Sequence, residues 1–193
     1  MLTGREVAYA VFGAWRLAHF DLQGVAYFDR SETGFWHSFA AALIVLPAFA
    51  VLTMLRFADT PIAVGWPAMV LIELIAYTIG WTAFPLVMVT LTKLLDREEE
   101  YFGFIAMFNW SSVIQVLVML PVAAFTAGDM LPRGWLEILG IAVTIGLLAY
   151  EWFVARVGLR IDGFTAAVVV ALDVVIVVVI TAIADLLLSG GVV

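Results

Sequence analysis

Apolar residues in this chain fall in long unbroken runs separated by short polar clusters, with no sustained alternation of the kind strands show. A helix crossing a bilayer core of about 30 Å needs about 20 mostly apolar residues. Five runs reach that length and predict helices over about 36–55, 62–92, 101–125, 135–157 and 163–188. The first is free of charge from Ser38 to Leu55, and the third carries none between Glu100 and Asp129. Glu73 interrupts the second, Glu137 and Glu151 bracket the apolar middle of the fourth, and Asp173 and Asp185 lie in the fifth. The fifth is rich in Val and Ile, poor helix formers in water. In lipid the backbone must satisfy its own hydrogen bonds, which favours helix regardless.

The second run lies between Asp59 and Lys93, too long for an upright helix and too short for two. It predicts one tilted helix, entered through Pro61 or Pro67 and kinked near Pro85. Pro47 and Pro121 fall mid-span in the first and third helices, where such residues shape packing more often than they mark a gate.

Residues 1–34 predict something different. Thr3-Gly-Arg-Glu6 has the form of a capping box, in which two side chains satisfy orphan backbone donors at a helix start. Val7, Val11, Trp15, Ala18 and Leu22 then recur at spacings of three and four, giving one apolar stripe. This reads as an amphipathic helix in the cytoplasmic interface. The alternative is an arm docked on the chain's own bundle or on a partner.

Composition agrees with the runs. At 65% hydrophobic, 13% charged and a mean hydropathy of +1.11, the chain has too few polar residues to coat a water-exposed globule. Lipid bilayer is therefore its first partner, and the fold class is all-α integral membrane, five spans with an N-terminal interfacial helix. A net charge of −7 argues against nucleic acid. Cysteine is absent, which excludes disulfides and thiolate chemistry. Charges at Arg5, Glu6, Arg16 and Asp21 mean the opening residues do not read as a secretory signal.

Charge also orients the spans. One side receives Arg5, Arg16, Arg30, Lys93, Arg97, Arg156 and Arg160, and the other only Arg56 and Arg133. The positive-inside rule then predicts a cytoplasmic N-terminus and, after residue 188, a short external tail of 189–193. Five spans cannot form two equal halves, which weakens an inverted-repeat transporter arrangement.

Charges at membrane depth are costly and so are the first candidates for chemistry. Glu73 and Asp173 both lie well inside their spans, Gln115 and Thr144 sit near mid-depth, and the four are expected to form a midplane polar layer. Asn109 and Ser112 share a face with Gln115 at spacings of three, a polar face suited to helix packing. With no Lys or Arg expected at that depth, the two acids serve either as helix–helix glue or as sites that bind or relay a proton or small cation. At the cytoplasmic side, Asp96, Arg97, Glu98, Glu99 and Glu100, with Arg16, form a candidate surface for a membrane or cytoplasmic partner or for self-association. The two histidines, His19 and His37, lack a metal-ligand spacing, and no nucleotide, flavin or serine-hydrolase motif is present. The expectation is no catalytic residue, no metal and no cofactor.

Phe28-Asp-Arg-Ser31 before the first span, Tyr101-Phe-Gly-Phe104 and Asn109-Trp110 opening the third, and Leu120-Pro121 later in it make an arrangement that resembles the bacterial branch of the Yip1-domain membrane proteins. The Asp-Leu-Tyr-Gly-Pro signature of eukaryotic members is absent. The resemblance implies a non-catalytic membrane protein acting through partners. Sequence therefore leads to a non-enzymatic interaction or organising component, with a small proton- or cation-handling transport or channel protein as the alternative.

Overall fold

The computed structural model describes residues 2–57, 63–128, 130 and 132–190, with residue 133 by its backbone alone. Among these residues all regular structure is helical, and five helices are long and apolar enough to cross a membrane. The chain runs α1 (Gly4–Ala18), a 3-10 segment (Leu22–Tyr27), α2 (Glu32–Ser38), α3 (Ala40–Arg56), α4 (Trp66–Leu94), α5 (Tyr101–Ala127), α6 (Arg133–Leu159) and α7 (Gly163–Leu188). The expected spans at 36–55, 101–125, 135–157 and 163–188 match to within a few residues. For the second, α4 starts at Trp66 with Pro67 in its first turn, where a missing N–H costs nothing. The alternative entry through Pro61 and the predicted start at 62 lie outside the described residues, as do the last three positions of the tail, 191–193. Pro47, Pro85 and Pro121 all lie inside their helices.

The first span is two pieces. α2 and α3 break at Phe39, just after Ser38, whose hydroxyl donates back to the Phe35 carbonyl at 2.6 Å. Back-bonding of this kind bends helices. Asn109 Nδ2 donates to the same Ser38 oxygen at 2.9 Å, so the break is held from α5.

The five long apolar helices form an incomplete ring. α3 packs on α5, α5 on α6, α6 on α7, and α7 on α4, while α3 and α4 share no extended contact. That seam is bridged by Tyr77, which donates to the Ala42 carbonyl at 2.6 Å and lies against Phe49 with ring centroids 4.6 Å apart.

The core is concentrated at one end, here called the basic end because the N-terminal segment and the 95–100 and 160–162 connections meet there. Phe84, Met88, Phe104, Ile105, Met107, Val154 and Leu159 are almost wholly buried. Glycine permits this density. A Cβ on Gly158 would come within 2.9 Å of Phe104, and one on Gly34 would fall 2.1 Å from the Asp29 carbonyl oxygen.

α1 is part of this end. Its capping box forms: Thr3 N–H donates to Glu6 Oε2 at 2.6 Å, and Glu6 N–H donates to Thr3 Oγ1 at 3.2 Å. Ala10, Gly13, Ala14 and Leu17 are its buried residues; the helix packs on α5 and on the 3-10 segment, where Gly13 lies against Tyr27, Phe28 and Gly24. Tyr150 of α6 donates to the Ala14 carbonyl at 2.8 Å and lies 2.9 Å from Ser111 Oγ. So α1 is an arm on its own bundle. The expected stripe is displaced: Val7, Val11 and Ala18 flank the contact, but Trp15 and Leu22 stay exposed with Tyr9 and Phe12.

Candidate functional site

The helices border a half-open cavity of about 520 Å³ whose walls come from α3 to α7. Three carboxylic acids line it, Glu73 from α4, Glu151 from α6 and Asp173 from α7, beside Asn109, Ser112 and Gln115 on one face of α5. Two of the three acids are buried, Glu73 and Asp173 each at 8% exposure. Glu73 Oε1 has no hydrogen-bond partner among the described residues, and the Asp173 side chain makes no hydrogen bond among them. Gln115 Nε2 donates to Glu151 Oε1 at 3.0 Å, linking α5 to α6.

The acids are staggered along the bundle. At 1.5 Å per residue from each helix centre, Glu151 lies about 7 Å and Asp173 about 4 Å toward the basic end, and Glu73 about 10 Å toward the other. They form a column rather than a layer. Arg56 joins it at the far end, lining the same cavity and placed so that its charge acts on Glu73. It also grips Asp185 of α7, with Nη2 at 2.6 Å from Oδ1 and 2.7 Å from Oδ2. The expectation that no cation approaches the acids is thus corrected for Glu73. The arginine lies in the last turn of α3, and its ion pair with Asp185 of α7 holds it at the cavity.

Of the expected midplane set, Glu73, Gln115 and Asp173 reach the cavity and Thr144 does not. Thr144 is exposed on the outer face of α6, beside Glu137, Gly140 and Ile141. Glu151, two helical turns along, lines the cavity instead. The residue pattern marks Glu151 only as one bracket of an apolar stretch, although an acid inside a predicted span is itself the signal. Asn109 serves packing as expected, 1% exposed and bonded to Ser38, and also borders the cavity.

The acidic run divides. Asp96, Glu98 and Glu99 are exposed, and Arg97 donates to the Asp96 carbonyl at 2.8 Å. Glu100 is instead buried between Arg30, with which it forms an ion pair, and Arg160, whose Nη1 lies 3.0 Å from Oε1. Glu100 is therefore withdrawn from any interaction surface, because two basic groups from distant connections converge on it. Burial holds the Arg30 guanidinium below its ordinary pKa, with the nearby Arg160 charge adding to the effect. Gly103 makes room for Arg30, whose Nε would lie 2.7 Å from a Cβ there. Arg16 is likewise folded inward: its Nε donates to Asp21 Oδ2 at 2.7 Å and Nη2 to Gln23 Oε1 at 2.8 Å.

Among the described residues, no three His, Cys, Asp or Glu side chains are grouped so as to hold a metal ion. Comparison with protein-family models, with curated proteins and with solved structures finds no match to this chain.

Proposed function

We propose that this chain is a small non-enzymatic membrane protein that handles protons or small cations through the cavity between α3 and α7. The observation that carries the reading is Glu73: a deeply buried carboxyl with an unpartnered oxygen, set on the wall of a cavity that two further acids share. Pure helix glue would leave such an oxygen bonded to a neighbouring helix, as Asn109 and Gln115 are. A column of acids along the bundle supplies successive sites at which positive charge is favoured. The lysine and arginine distribution supports a cytoplasmic basic end, in a bacterial inner membrane, with the exposed Tyr9, Phe12 and Trp15 of α1 at the headgroup level.

The test is flux in proteoliposomes under a pH gradient and then under sodium or potassium gradients. We expect the Glu73→Gln, Asp173→Asn double variant to abolish flux that the wild type supports. Absence of flux from the wild type under every gradient overturns the reading.

A second reading, an organising component resembling the Yip1-domain proteins, is favoured by exposed Asp96, Glu98 and Glu99 beside the exposed Arg160. It predicts that charge reversal at Asp96, Glu98 and Glu99 releases a co-purifying partner. Retention of every partner argues against it.

A further inference from the structure

Resting on the cavity reading above, the geometry points to a more specific ligand: we infer that the cavity binds a monovalent amphipathic organic cation, an ammonium or phosphonium group carrying apolar or aromatic bulk.

Size is the first argument. A volume of about 520 Å³ falls within the roughly 300–1,000 Å³ of sites for organic molecules and is far more than a proton or bare metal ion occupies. Wall chemistry is the second. Phe49, Tyr77, Trp81 and Phe108 line the cavity with the acids, and the Phe49–Tyr77 and Tyr77–Trp81 centroids lie 4.6 and 6.0 Å apart. Tyr77 and Trp81 are one turn apart on α4, and Glu73 precedes Tyr77 by another turn, so a carboxyl and two aromatic rings succeed one another on one face. Aromatic faces with a nearby carboxylate are the pairing that recognises organic cations, through ring quadrupole and charge together.

The spacing of the acids is the third. Their stagger over roughly 18 Å of helix rise prevents them from converging on one ion, as metal coordination would require. Glu73 and Asp173 share the cavity wall with apolar and aromatic side chains, which suits a ligand with one charge and a hydrophobic body. Charge sign follows from the same lining. Three acids face Arg56, itself engaged by Asp185, and one acid is bonded by Gln115. Glu73 Oε1 and the Asp173 carboxyl are left to meet a cation.

The experiment is equilibrium binding of tetraphenylphosphonium to the full chain in nanodiscs, with tetraphenylborate as the anionic control of the same shape. We expect saturable phosphonium binding, weakened at least tenfold by Glu73→Gln plus Asp173→Asn and several-fold by Trp81→Leu, with no saturable borate binding. Trp81→Leu removes no charge, so it tests the site even if the double variant fails to fold. Phosphonium uptake that is not saturable, or that these variants leave unchanged, overturns the inference. Acid-dependent proton or metal-ion flux in the absence of phosphonium binding also overturns it, while leaving the transport reading intact. Absence of both binding and flux removes both.

Discussion

The two ends of the bundle are built from equally apolar helices yet are packed in different ways. At the basic end α1, α2, α5 and α6 bury Phe104, Ile105, Met107, Val154 and Leu159 almost completely, and Glu100 joins Arg30 to Arg160 across them. At the far end, no described residue of α6 before Tyr150 is buried, and α5 has none after Ile114. Ile138, Ile141, Ile145, Val175 and Val178 face outward there. In water such a difference would be a defect. In lipid it costs little, because the acyl chains are as apolar as leucine and helices gain by close contact rather than by escape from solvent. What distinguishes the ends is small residues and polar ties. Where α1 brings Ala10, Gly13 and Ala14 and the connections bring arginines, helices close up. Where Val and Ile dominate, they stand apart and leave the cavity.

Substitutions should divide along that line. The largest effect is expected from Gly34→Ala, because its Cβ would fall 2.1 Å from a backbone oxygen that cannot move aside. A loss of about 3 kcal/mol, the upper range for overpacking, should appear as a drop in thermal midpoint or absence of folded protein. Gly140→Ala and Gly146→Ala at the far end meet nothing within 4 Å and should be neutral or slightly stabilising. Equal losses from Gly34 and Gly140 would remove the contrast.

Next is Glu100→Gln, which leaves Arg30 and Arg160 facing each other. A fully buried pair costs about 3–5 kcal/mol to break. Arg160 is 66% exposed, so about 1–3 kcal/mol is expected, read as a lower midpoint that added salt partly restores. Asn109→Ala should cost about 1 kcal/mol by leaving Ser38 and the α2–α3 break untied, a loss visible in detergent unfolding.

Glu73→Gln is the opposite case at the far end. It removes a desolvated carboxyl whose Oε1 has no hydrogen-bond partner among the described residues, so the midpoint should hold or rise while flux falls. A Glu73→Gln variant as destabilised as Glu100→Gln would place Glu73 among the structural ties instead.

The smallest effect is a pH dependence confined to α1. The Thr3 backbone N–H, and then its hydroxyl, hold the Glu6 carboxyl below its ordinary value of 4.5. A carboxyl with a depressed folded value stabilises the helix above its unfolded value and loses that contribution as pH falls through the folded one. Amide exchange in residues 4–8 should therefore quicken below about pH 4.5 without global unfolding. Glu6→Gln should flatten the profile.

Much of the scaffold was legible in the pattern of residues. An apolar run has one physical outcome in lipid, so the existence of five helices and most of their ends follow from run length alone. The capping box was readable because Thr3 and Glu6 are neighbours in sequence. The facing of each helix was less so. In a helix that is apolar all round, no stripe marks the inner side. Thr144 lies nearer mid-depth than Glu151, yet packing of α6 on α5 and α7 puts Glu151 at the cavity. On α1 the stripe was drawn through large residues, whereas close approach selected the small ones.

Sequence by itself thus determined the number and length of the long apolar helices and which charges fall within them, since these depend on local composition. Only the tertiary structure decided that Glu100 is locked between two arginines and that Arg56 approaches Glu73. It alone brought three acids on three helices to one cavity. These are relations between residues far apart in the chain, and rotation of each helix about its axis, which local hydropathy does not encode, sets them.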